Sequence, residues 1–588
     1  MNALKYIFGL LAFLLIIVGI GGVVDWHPVY TALLTLFGIF AGLRIISEIP
    51  DVIRDLIASM IASKKAETLA KNAAMEPLLI GGDEAASGEI ALGWLIGKNK
   101  KTMRKTAQLK TVNQNDRASH FYVVGASGMG KTKFLESLIL QDAKNKVGFG
   151  IIDPHGDLIE EVKIHLAHGM RMQEKERGVR WLMTNVVLID PTDPAVTASF
   201  NPLELMPGDS SAKLAGELTT VFKKIWSDSW GPRLEDLLRN SFVALSESGL
   251  TLADLPDFLT KTKFREKALG RVKNEMCVAR FRQFDSQSDA ARNAWIEPVL
   301  NKVNALLLDD RVRQLFSSPR STFNLREVMD SEKILLVKLN RGELTGYADL
   351  LGSLLLAKIQ MAAFSRTDTK EERKRVPFYL YIDEFQNFAT ENFLETLAEA
   401  RKYRLYLILA HQNLSQLPER LQASILANSG VQVYFRTSHQ DANTLSKESG
   451  ERPADGPGWK DLKKQFKDPR EIFFQPYNLR GQRWGERAQL LQELAPRWCV
   501  VKNKKEKGAV LIKTDTIPDL VKEYSTMFSE KETDEMREEV NSTIGAAYLR
   551  KRQDIELERR KRSDENENKE DEDPETFREA KTTGDLER

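Results

Sequence analysis

The sequence contains very little cysteine and almost no net charge, and each scarcity excludes some classes of protein. Its 588 residues include two cysteines, Cys277 and Cys499, whose separation fits no metal-binding motif. So few thiols favour a reducing compartment over a disulfide-stabilised secreted protein. The net charge is only +2, so any nucleic-acid contact has to come from local patches. The sequence has no zinc-finger or RNA-binding signature, which argues against base-specific recognition.

The most apolar part of the chain lies at its front. Residues 6–24 carry no charge and are long enough for a helix that crosses about 30 Å of hydrocarbon. The polar turn DWHP separates them from a second apolar run at 29–43. The flanking basic residues predict a two-pass segment in the cytoplasmic (inner) membrane, with both termini and the large domain that follows in the cytoplasm. A cleaved signal peptide is the alternative, and the second apolar run counts against it.

A phosphate-binding loop follows the first clear strand pattern. SHFYVVG is an apolar strand, KTKFLESLILQDA begins an amphipathic helix, and GASGMGKT spans the turn between them. Its glycines let backbone N–H groups surround phosphates, its lysine neutralises them, and its threonine holds Mg²⁺. We therefore predict the cofactors ATP and Mg²⁺, with ATP bound by Gly125, Ala126, Ser127, Gly128, Met129, Gly130, Lys131 and Thr132.

Two later apolar strands end in polar residues that suit hydrolysis. PFYLYI precedes Asp383 and Glu384, which we predict to bind Mg²⁺ through water and to polarise the attacking water, respectively. LYLILAH precedes Gln412, our candidate sensor of the γ-phosphate, because ligands meet the carboxyl ends of parallel strands. A loop or helix-capping amide is the alternative role for Gln412.

The order of these patterns predicts an α/β fold. Buried strands separated by helical stretches indicate a RecA-like P-loop NTPase sheet domain with an inserted all-α domain, preceded by an N-terminal two-helix transmembrane hairpin. The last residues are highly charged, which predicts an exposed helix and a disordered acidic tail. The predicted boundaries are 1–50 for the hairpin, 51–75 for an amphipathic juxtamembrane helix, 76–203 and 319–525 for the two parts of the ATPase domain, 204–318 for the all-α insertion and 526–588 for the charged helix and tail.

The ordered set of motifs resembles a known family. The membrane pair, GASGMGKT, IIDPHGDL, FNPLE, the helical insertion, YIDEFQNF, LAHQNLSQL and LAPRWCVVK are similar to the coupling ATPases of conjugation and type IV secretion. These form the TraG/TraD family within the HerA–FtsK class of DNA pumps. The resemblance implies a homo-hexamer with single- or double-stranded DNA, bound without sequence preference, in its central hole. It also implies relaxase or secretion-channel proteins as partners.

A ring of this kind needs an arginine delivered to the γ-phosphate. Arg233 in SWGPRLEDLLRN and Arg436 in YFRTS are the candidates. The alternative for each is an ordinary surface ion pair or a structural contact that involves no phosphate. Two basic stretches, at 98–110 and 502–508, either face DNA phosphates or form solvated turns.

These features predict a membrane-anchored, ATP-driven DNA translocase that feeds DNA or DNA–protein substrate to a conjugative type IV secretion channel. One alternative is a HerA/FtsK-like motor that handles chromosomes without secretion, and another is a protein-only secretion ATPase. A third is a membrane-tethered nucleotide switch that moves nothing. The presence of both Lys131 and Glu384 counts against the switch.

Overall fold

Most strands of the described part coincide with buried apolar runs of the sequence. The computed structural model describes residues 89–98, 105–173, 175–344, 346–390, 392–448, 484–506, 508–515, 517 and 530–568. The predicted transmembrane hairpin, the juxtamembrane helix and the end of the acidic tail lie outside the described residues. The strands of the described part are β1 Ile90–Lys98, β2 Lys105–Val112, β3 His120–Val124, β4 Phe149–Asp153, β5 Val186–Ile189, β6 Val196–Ala198, β7 Ile334–Lys338, β8 Phe378–Ile382, β9 Leu405–His411, β10 Ser429–Tyr434, β11 Trp498–Asn503, β12 Ala509–Lys513 and β13 Leu549–Lys551.

Eleven strands of the described part form one sheet, in the order β2-β1-β12-β11-β10-β3-β9-β8-β4-β7-β5. Neighbours from β10 to β5 are parallel, and neighbours from β10 to β2 are antiparallel. Along β3, Tyr122 and Val124 belong to one apolar cluster, whereas Phe121 and Val123 belong to another. Alternate side chains point to opposite faces, so both faces of the sheet are buried. The predicted α/β class, with its large parallel sheet, is confirmed.

Helices connect the strands, and between β6 and β7 the chain contains only helices and turns. This helical insertion lies where the sequence predicts an all-α segment at 204–318. The α-helices of the described part are α1 Gln114–Arg117, α2 Lys131–Lys144, α3 Asp157–Gln173, α4 Lys175–Asn185, α5 Ser211–Ile225, α6 Pro232–Ser248, α7 Leu255–Thr260, α8 Thr262–Leu269, α9 Glu275–Asp285, α10 Asp289–Leu308, α11 Asp310–Phe316, α12 Leu325–Asp330, α13 Arg341–Leu344, α14 Tyr347–Phe364, α15 Phe393–Glu399, α16 Glu419–Asn428, α17 His439–Glu448, α18 Trp484–Glu493, α19 Glu530–Thr543 and α20 Arg552–Asn568.

One helical segment of the described part, Tyr347–Asp368, is long and apolar enough to cross a membrane. Its most apolar window is 78% buried inside the protein, so it serves as a core helix here. Gly352 in this segment allows the close approach of the loop that follows β8. A Cβ atom at Gly352 would lie 2.4 Å from Cδ1 of Phe388, a distance that real side chains do not tolerate.

Replacing Gly352 by alanine is expected to destabilise the protein by about 1–3 kcal/mol, because the added methyl group overpacks this contact. Gly346→Ala is the matched control, since a Cβ there meets nothing within 4 Å. Its free energy of unfolding should change by less than about 0.5 kcal/mol. Denaturant unfolding of both variants checks the prediction, and equal effects would contradict the close packing of α14.

The segment after residue 530 is not a single exposed helix, contrary to the prediction for 526–588. After α19 the chain turns at Gly545, which has a φ of +70°, and β13 then pairs antiparallel with β6 before α20 begins. Val540, Ile544 and Ile555 are buried. The prediction failed because these apolar residues are few and widely spaced among charged ones. We call residues 530–568 the C-terminal strap.

Arg552 attaches the strap to two other elements. Its buried guanidinium donates to the backbone oxygens of Pro191 and Asp193, each at 2.7 Å, in the loop after β5. It also donates to Gln314 Oε1 at 2.9 Å and to the backbone oxygen of Arg311 at 3.2 Å, both in α11. One side chain therefore joins the strap, the sheet and the end of the helical insertion.

Arg552→Ala is expected to lower the free energy of unfolding by about 1.5–3 kcal/mol, because buried carbonyl groups lose a charged donor. Arg560→Ala is the control, since the Arg560 side chain is 70% exposed and pairs with Glu556 of the same helix. The free energy of unfolding of Arg560→Ala should stay within about 0.5 kcal/mol of the value for the unsubstituted protein. Thermal unfolding measures both variants. An Arg552→Ala variant with unchanged stability would show that Arg552 does not hold the strap against the rest of the protein as described.

Candidate active site

Three neighbouring parallel strands bring the predicted site residues to one edge of the sheet. Gly125 follows β3, Gln412 follows β9 and Asp383 follows β8, and these strands are adjacent in the order β3-β9-β8. Their carboxyl ends meet at the same edge, where α/β sheets bind ligands. The Thr132 hydroxyl donates to Asp383 Oδ2 at 3.5 Å. The phosphate-binding loop and the acidic pair thus belong to one site.

The loop 125–132 is shaped to hold phosphates. Gly128 and Gly130 have φ angles of +74° and +101°, which glycine adopts readily. Gly125 has no room for a side chain, because a Cβ there would lie 2.4 Å from Cβ of Phe435. Helix α2 begins at Lys131 without a side-chain cap. Its first N–H groups are therefore available to an anion, and its macrodipole favours one there.

Burial dominates the electrostatics of two charged residues of the site, Lys131 and Asp383. Lys131 and Asp383 are each only 6% exposed. Burial, reinforced by the charges of Glu384 and Asp153, raises the pKa of the Asp383 carboxyl to about 6. Burial lowers the pKa of the Lys131 ammonium, against the opposing effect of the Glu384 and Asp383 carboxylates. A divalent cation beside Asp383 would restore its ionised form, because positive charge lowers a carboxyl pKa.

Glu384 occupies a strained turn and is fixed by two amides. Its φ and ψ of 45° and 46° lie in the left-handed region, which is rare for a residue with a side chain. Gln412 Nε2 donates to Glu384 Oε1 and Gln386 Nε2 donates to Glu384 Oε2, each at 2.8 Å. Gln412 therefore reaches the site where the sequence predicts a sensor. Sequence reasoning missed Gln386, although its glutamine stands inside the quoted motif YIDEFQNF.

His411, the last residue of β9, supports the site without titrating near neutral pH. Burial, followed by the charge of Lys131, lowers its pKa to about 3. The neutral ring pairs with the Tyr122 hydroxyl at 2.6 Å through Nε2. It also contacts the edge of Phe385, with the ring centres 5.0 Å apart. His411 thus packs beneath the turn that carries Glu384.

The two arginine candidates occupy different surroundings. Arg233 lies exposed at the start of α6, and its guanidinium carbon is 5.7 Å from the ring centre of Trp295 in the helical insertion. Arg436 follows β10, and its backbone oxygen accepts a hydrogen bond from Ala126 N of the phosphate-binding loop at 2.7 Å. Arg436 is therefore next to the loop of its own chain. The role of each arginine at a γ-phosphate stays a prediction.

The two oxygen donors at the site, from Thr132 and Asp383, suit Mg²⁺ that is also bound by water and phosphate. They are too few for a metal ion held by protein side chains alone. Among the described residues there is no cluster of three or more His, Cys, Asp or Glu residues that could hold a metal. Thr132 and Asp383 offer a hydroxyl and a carboxylate, and Mg²⁺ typically takes one or two such ligands together with waters and substrate phosphates. The Asp153 carboxylate already accepts two hydrogen bonds, from the N–H groups of His155 and Ile159 near the start of α3.

The basic stretch at 502–508 makes internal contacts. Lys504 Nζ donates to the backbone oxygens at the end of α16, including Leu426 O at 2.8 Å. Lys505 Nζ donates to Asn115 O at 2.7 Å and pairs with Asp116 at 3.1 Å. These lysines stabilise a helix end and a neighbouring turn rather than forming a free basic patch. The other basic stretch, 98–110, lies partly outside the described residues.

Comparison with known proteins gives one match to a family. Residues 260–455 match the family described as Type IV secretory system Conjugative DNA transfer. The matched segment runs from the helical insertion through Asp383, Glu384 and Gln412. A search of curated proteins returned no match.

Solved structures similar to the chain include two of a coupling protein and one of a related ATPase. The bacterial conjugative coupling protein TrwBdeltaN70, in an unbound form, has 14% identity and a TM-score of 0.46, over 72% of this chain and 88% of that one. TrwB in complex with ADP and Mg²⁺ has 15% identity and a TM-score of 0.46, over 72% and 89%. VirB4 of Thermoanaerobacter pseudethanolicus has 15% identity and a TM-score of 0.42, over 74% and 98%. The match over residues 260–455 confirms the resemblance to conjugative coupling ATPases that the sequence motifs predicted.

Proposed function

We propose that this chain is a membrane-anchored, ATP-driven DNA translocase that delivers DNA or DNA–protein substrate to a conjugative type IV secretion channel. The observation that carries the proposal is the single site formed by Lys131, Thr132, Asp383 and Glu384, at the edge of the parallel sheet. The family match over residues 260–455 supports DNA transfer as the work that ATP drives.

The residues of the site divide the chemistry between them. Lys131 and the N–H groups of 125–132 hold the phosphates, while Thr132 and Asp383 hold Mg²⁺. When bound, Mg²⁺ neutralises charge on the β- and γ-phosphates. Glu384 accepts the proton of the attacking water, and Gln412 is placed to sense the γ-phosphate because its amide reaches the same carboxylate.

The surroundings of the motor follow from the sequence and the family resemblance. Two apolar runs, 6–24 and 29–43, support a two-pass anchor in the cytoplasmic membrane with the ATPase domain on the cytoplasmic side. The resemblance supports a homo-hexameric ring in which Arg233 or Arg436 completes a neighbour's site. Relaxase or secretion-channel proteins are the proposed protein partners.

Glu384→Gln is expected to slow ATP hydrolysis about 10²- to 10⁴-fold while ATP still binds, because the amide cannot accept the proton from water. Glu395→Gln, on the exposed side of α15, is the matched control and should hydrolyse ATP at the normal rate. Steady-state turnover and equilibrium binding of a fluorescent nucleotide measure the two effects. Unchanged hydrolysis in Glu384→Gln would refute the role of Glu384.

ATP turnover by the full-length protein in lipid nanodiscs is expected to rise on addition of DNA of arbitrary sequence. Contacts to the phosphate backbone should make the apparent DNA affinity fall at least about tenfold between about 50 and 200 mM salt. Lys131→Ala, which removes the ammonium from the phosphate site, should abolish turnover with and without DNA. Turnover that is steady but indifferent to DNA would favour the protein-only secretion ATPase.

A further inference from the structure

Lys224 connects the helical insertion to the turn that follows Glu384, and neither the motifs nor the comparisons give it a role. It lies in the last turn of α5. Its Nζ atom donates to the backbone oxygen of Asn387. Asn387 ends the short helical turn Phe385–Asn387, which begins directly after Glu384. A side chain of the insertion therefore binds the backbone beside the catalytic carboxylate.

Backbone hydrogen bonds close this turn against Glu384. Asn387 N donates to Glu384 O at 3.0 Å, and Phe388 N donates to Phe385 O, also at 3.0 Å. Asn387 thus accepts from Lys224 through its oxygen and donates to Glu384 through its nitrogen. The backbone of a single residue separates the Lys224 ammonium from the backbone of Glu384.

Glu384 needs this support because its backbone is strained. Its φ and ψ of 45° and 46° lie in the left-handed region, and a side-chain-bearing residue stays there only when its surroundings hold it. Gln386, which donates to Glu384 Oε2, is itself a residue of the turn. A shift of the turn would therefore move both the Glu384 carboxylate and one of the amides that hold it.

Two other contacts fasten the chain beyond the turn, and both use neutral donors. Ser353 of α14 donates to the backbone oxygen of Phe388 at 3.2 Å. Asn392 donates to Glu217 of α5 at 2.7 Å. Of the three contacts, that of Lys224 is the one within the turn and the one with a charged donor. Hydrogen bonds with a charged donor are the stronger kind, so this contact does most to fix the turn.

The Lys224 ammonium adds little to the stability of the fold. The side chain is partly buried, and burial lowers its pKa to about 8 against the opposing charge of Asp349 in α14. Its hydrogen-bond partner is the neutral carbonyl of Asn387, while Asp349 pairs with Arg341 at 2.9 Å. Taking a charge out of water without an ionised partner is unfavourable. The geometry of the turn therefore explains a lysine at this position better than stability does.

We propose that Lys224 is a positioning residue for hydrolysis, which holds the turn 385–387 so that the Glu384 carboxylate faces the attacking water. The inference rests on the proposed ATPase function and deepens it, because it makes the rate of hydrolysis depend on helix α5 of the insertion. Lys224 acts through Asn387 and transfers no proton. Without its ammonium the turn loses its closest contact with α5, and the carboxylate spends less time in the direction that reaches the water.

Lys224→Met tests the inference, because methionine has nearly the same length and removes the donor. We expect kcat to fall about 10- to 100-fold, because a small misplacement of the Glu384 carboxylate is enough to slow proton transfer. KM for ATP and the equilibrium affinity for a fluorescent ADP analogue with Mg²⁺ should change less than about twofold. Lys224→Arg keeps a charged donor, so its kcat should stay within about threefold of the unsubstituted protein.

Thermal unfolding and a matched control separate this role from a structural one. Because Lys224→Met removes a partly buried charge, its melting temperature should stay the same or rise. Lys223→Met is the control, since Lys223 is the neighbouring residue of α5, is exposed and pairs with Glu235 inside the insertion at 3.5 Å. It should leave kcat, KM, nucleotide affinity and melting temperature unchanged.

A double variant tests whether Lys224 acts through Glu384. In Glu384→Gln there is no carboxylate left to position, so adding Lys224→Met should slow the residual hydrolysis less than about twofold further. A role that is independent of Glu384 would instead lower the residual rate by the full factor that Lys224→Met causes on its own. Single-turnover hydrolysis with excess enzyme measures these slow rates.

Four results would overturn the inference. They are a normal kcat in Lys224→Met, a kcat in Lys224→Arg as low as in Lys224→Met, the full additional loss in the double variant, and a joint loss of melting temperature and nucleotide affinity in Lys224→Met. The last result would make Lys224 a folding residue. Failure of the proposed function looks different, because Lys131→Ala and Glu384→Gln would then also leave hydrolysis unchanged.

Discussion

The site depends on the parallel register of β3, β9 and β8. Val124 is paired with His411, and Ile382 with Leu409, so the residues that follow each strand emerge at the same edge. A slip of one residue would send the alternate side chains to the wrong face and separate the loop 125–132 from the acidic pair. The strands come from segments that are distant in the sequence, and burial of both sheet faces holds them in register.

The helical insertion contacts the loop that follows Glu384. Lys224 of α5 binds the backbone of Asn387, and burial lowers the pKa of its ammonium to about 8. The same helix accepts a hydrogen bond from Asn392 through Glu217. A displacement of α5 by DNA or by a neighbouring subunit would therefore be transmitted to the turn that holds Glu384.

The sequence predicted the central strands and the phosphate-binding loop well, because strands buried on both faces appear as uninterrupted apolar runs. It predicted the edge strands poorly. IALGWLIGK and KTAQLKTV mix polar and apolar residues, and the bulge at Gly93 breaks the alternation. The C-terminal strap was missed because Arg552 is fixed by backbone carbonyls far away in the sequence. The hydrogen bond from Gln386 to Glu384 was missed because it depends on the left-handed turn at Glu384.

The most direct test of the shared site is an experimental structure with a non-hydrolysable ATP analogue and Mg²⁺. The account predicts one triphosphate wrapped by residues 125–132, with its metal ion bound to the Thr132 hydroxyl and linked to Asp383 directly or through one water. It also predicts the Glu384 carboxylate beside the γ-phosphate. A triphosphate on the loop whose metal ion and γ-phosphate lie remote from Asp383 and Glu384 would contradict the account.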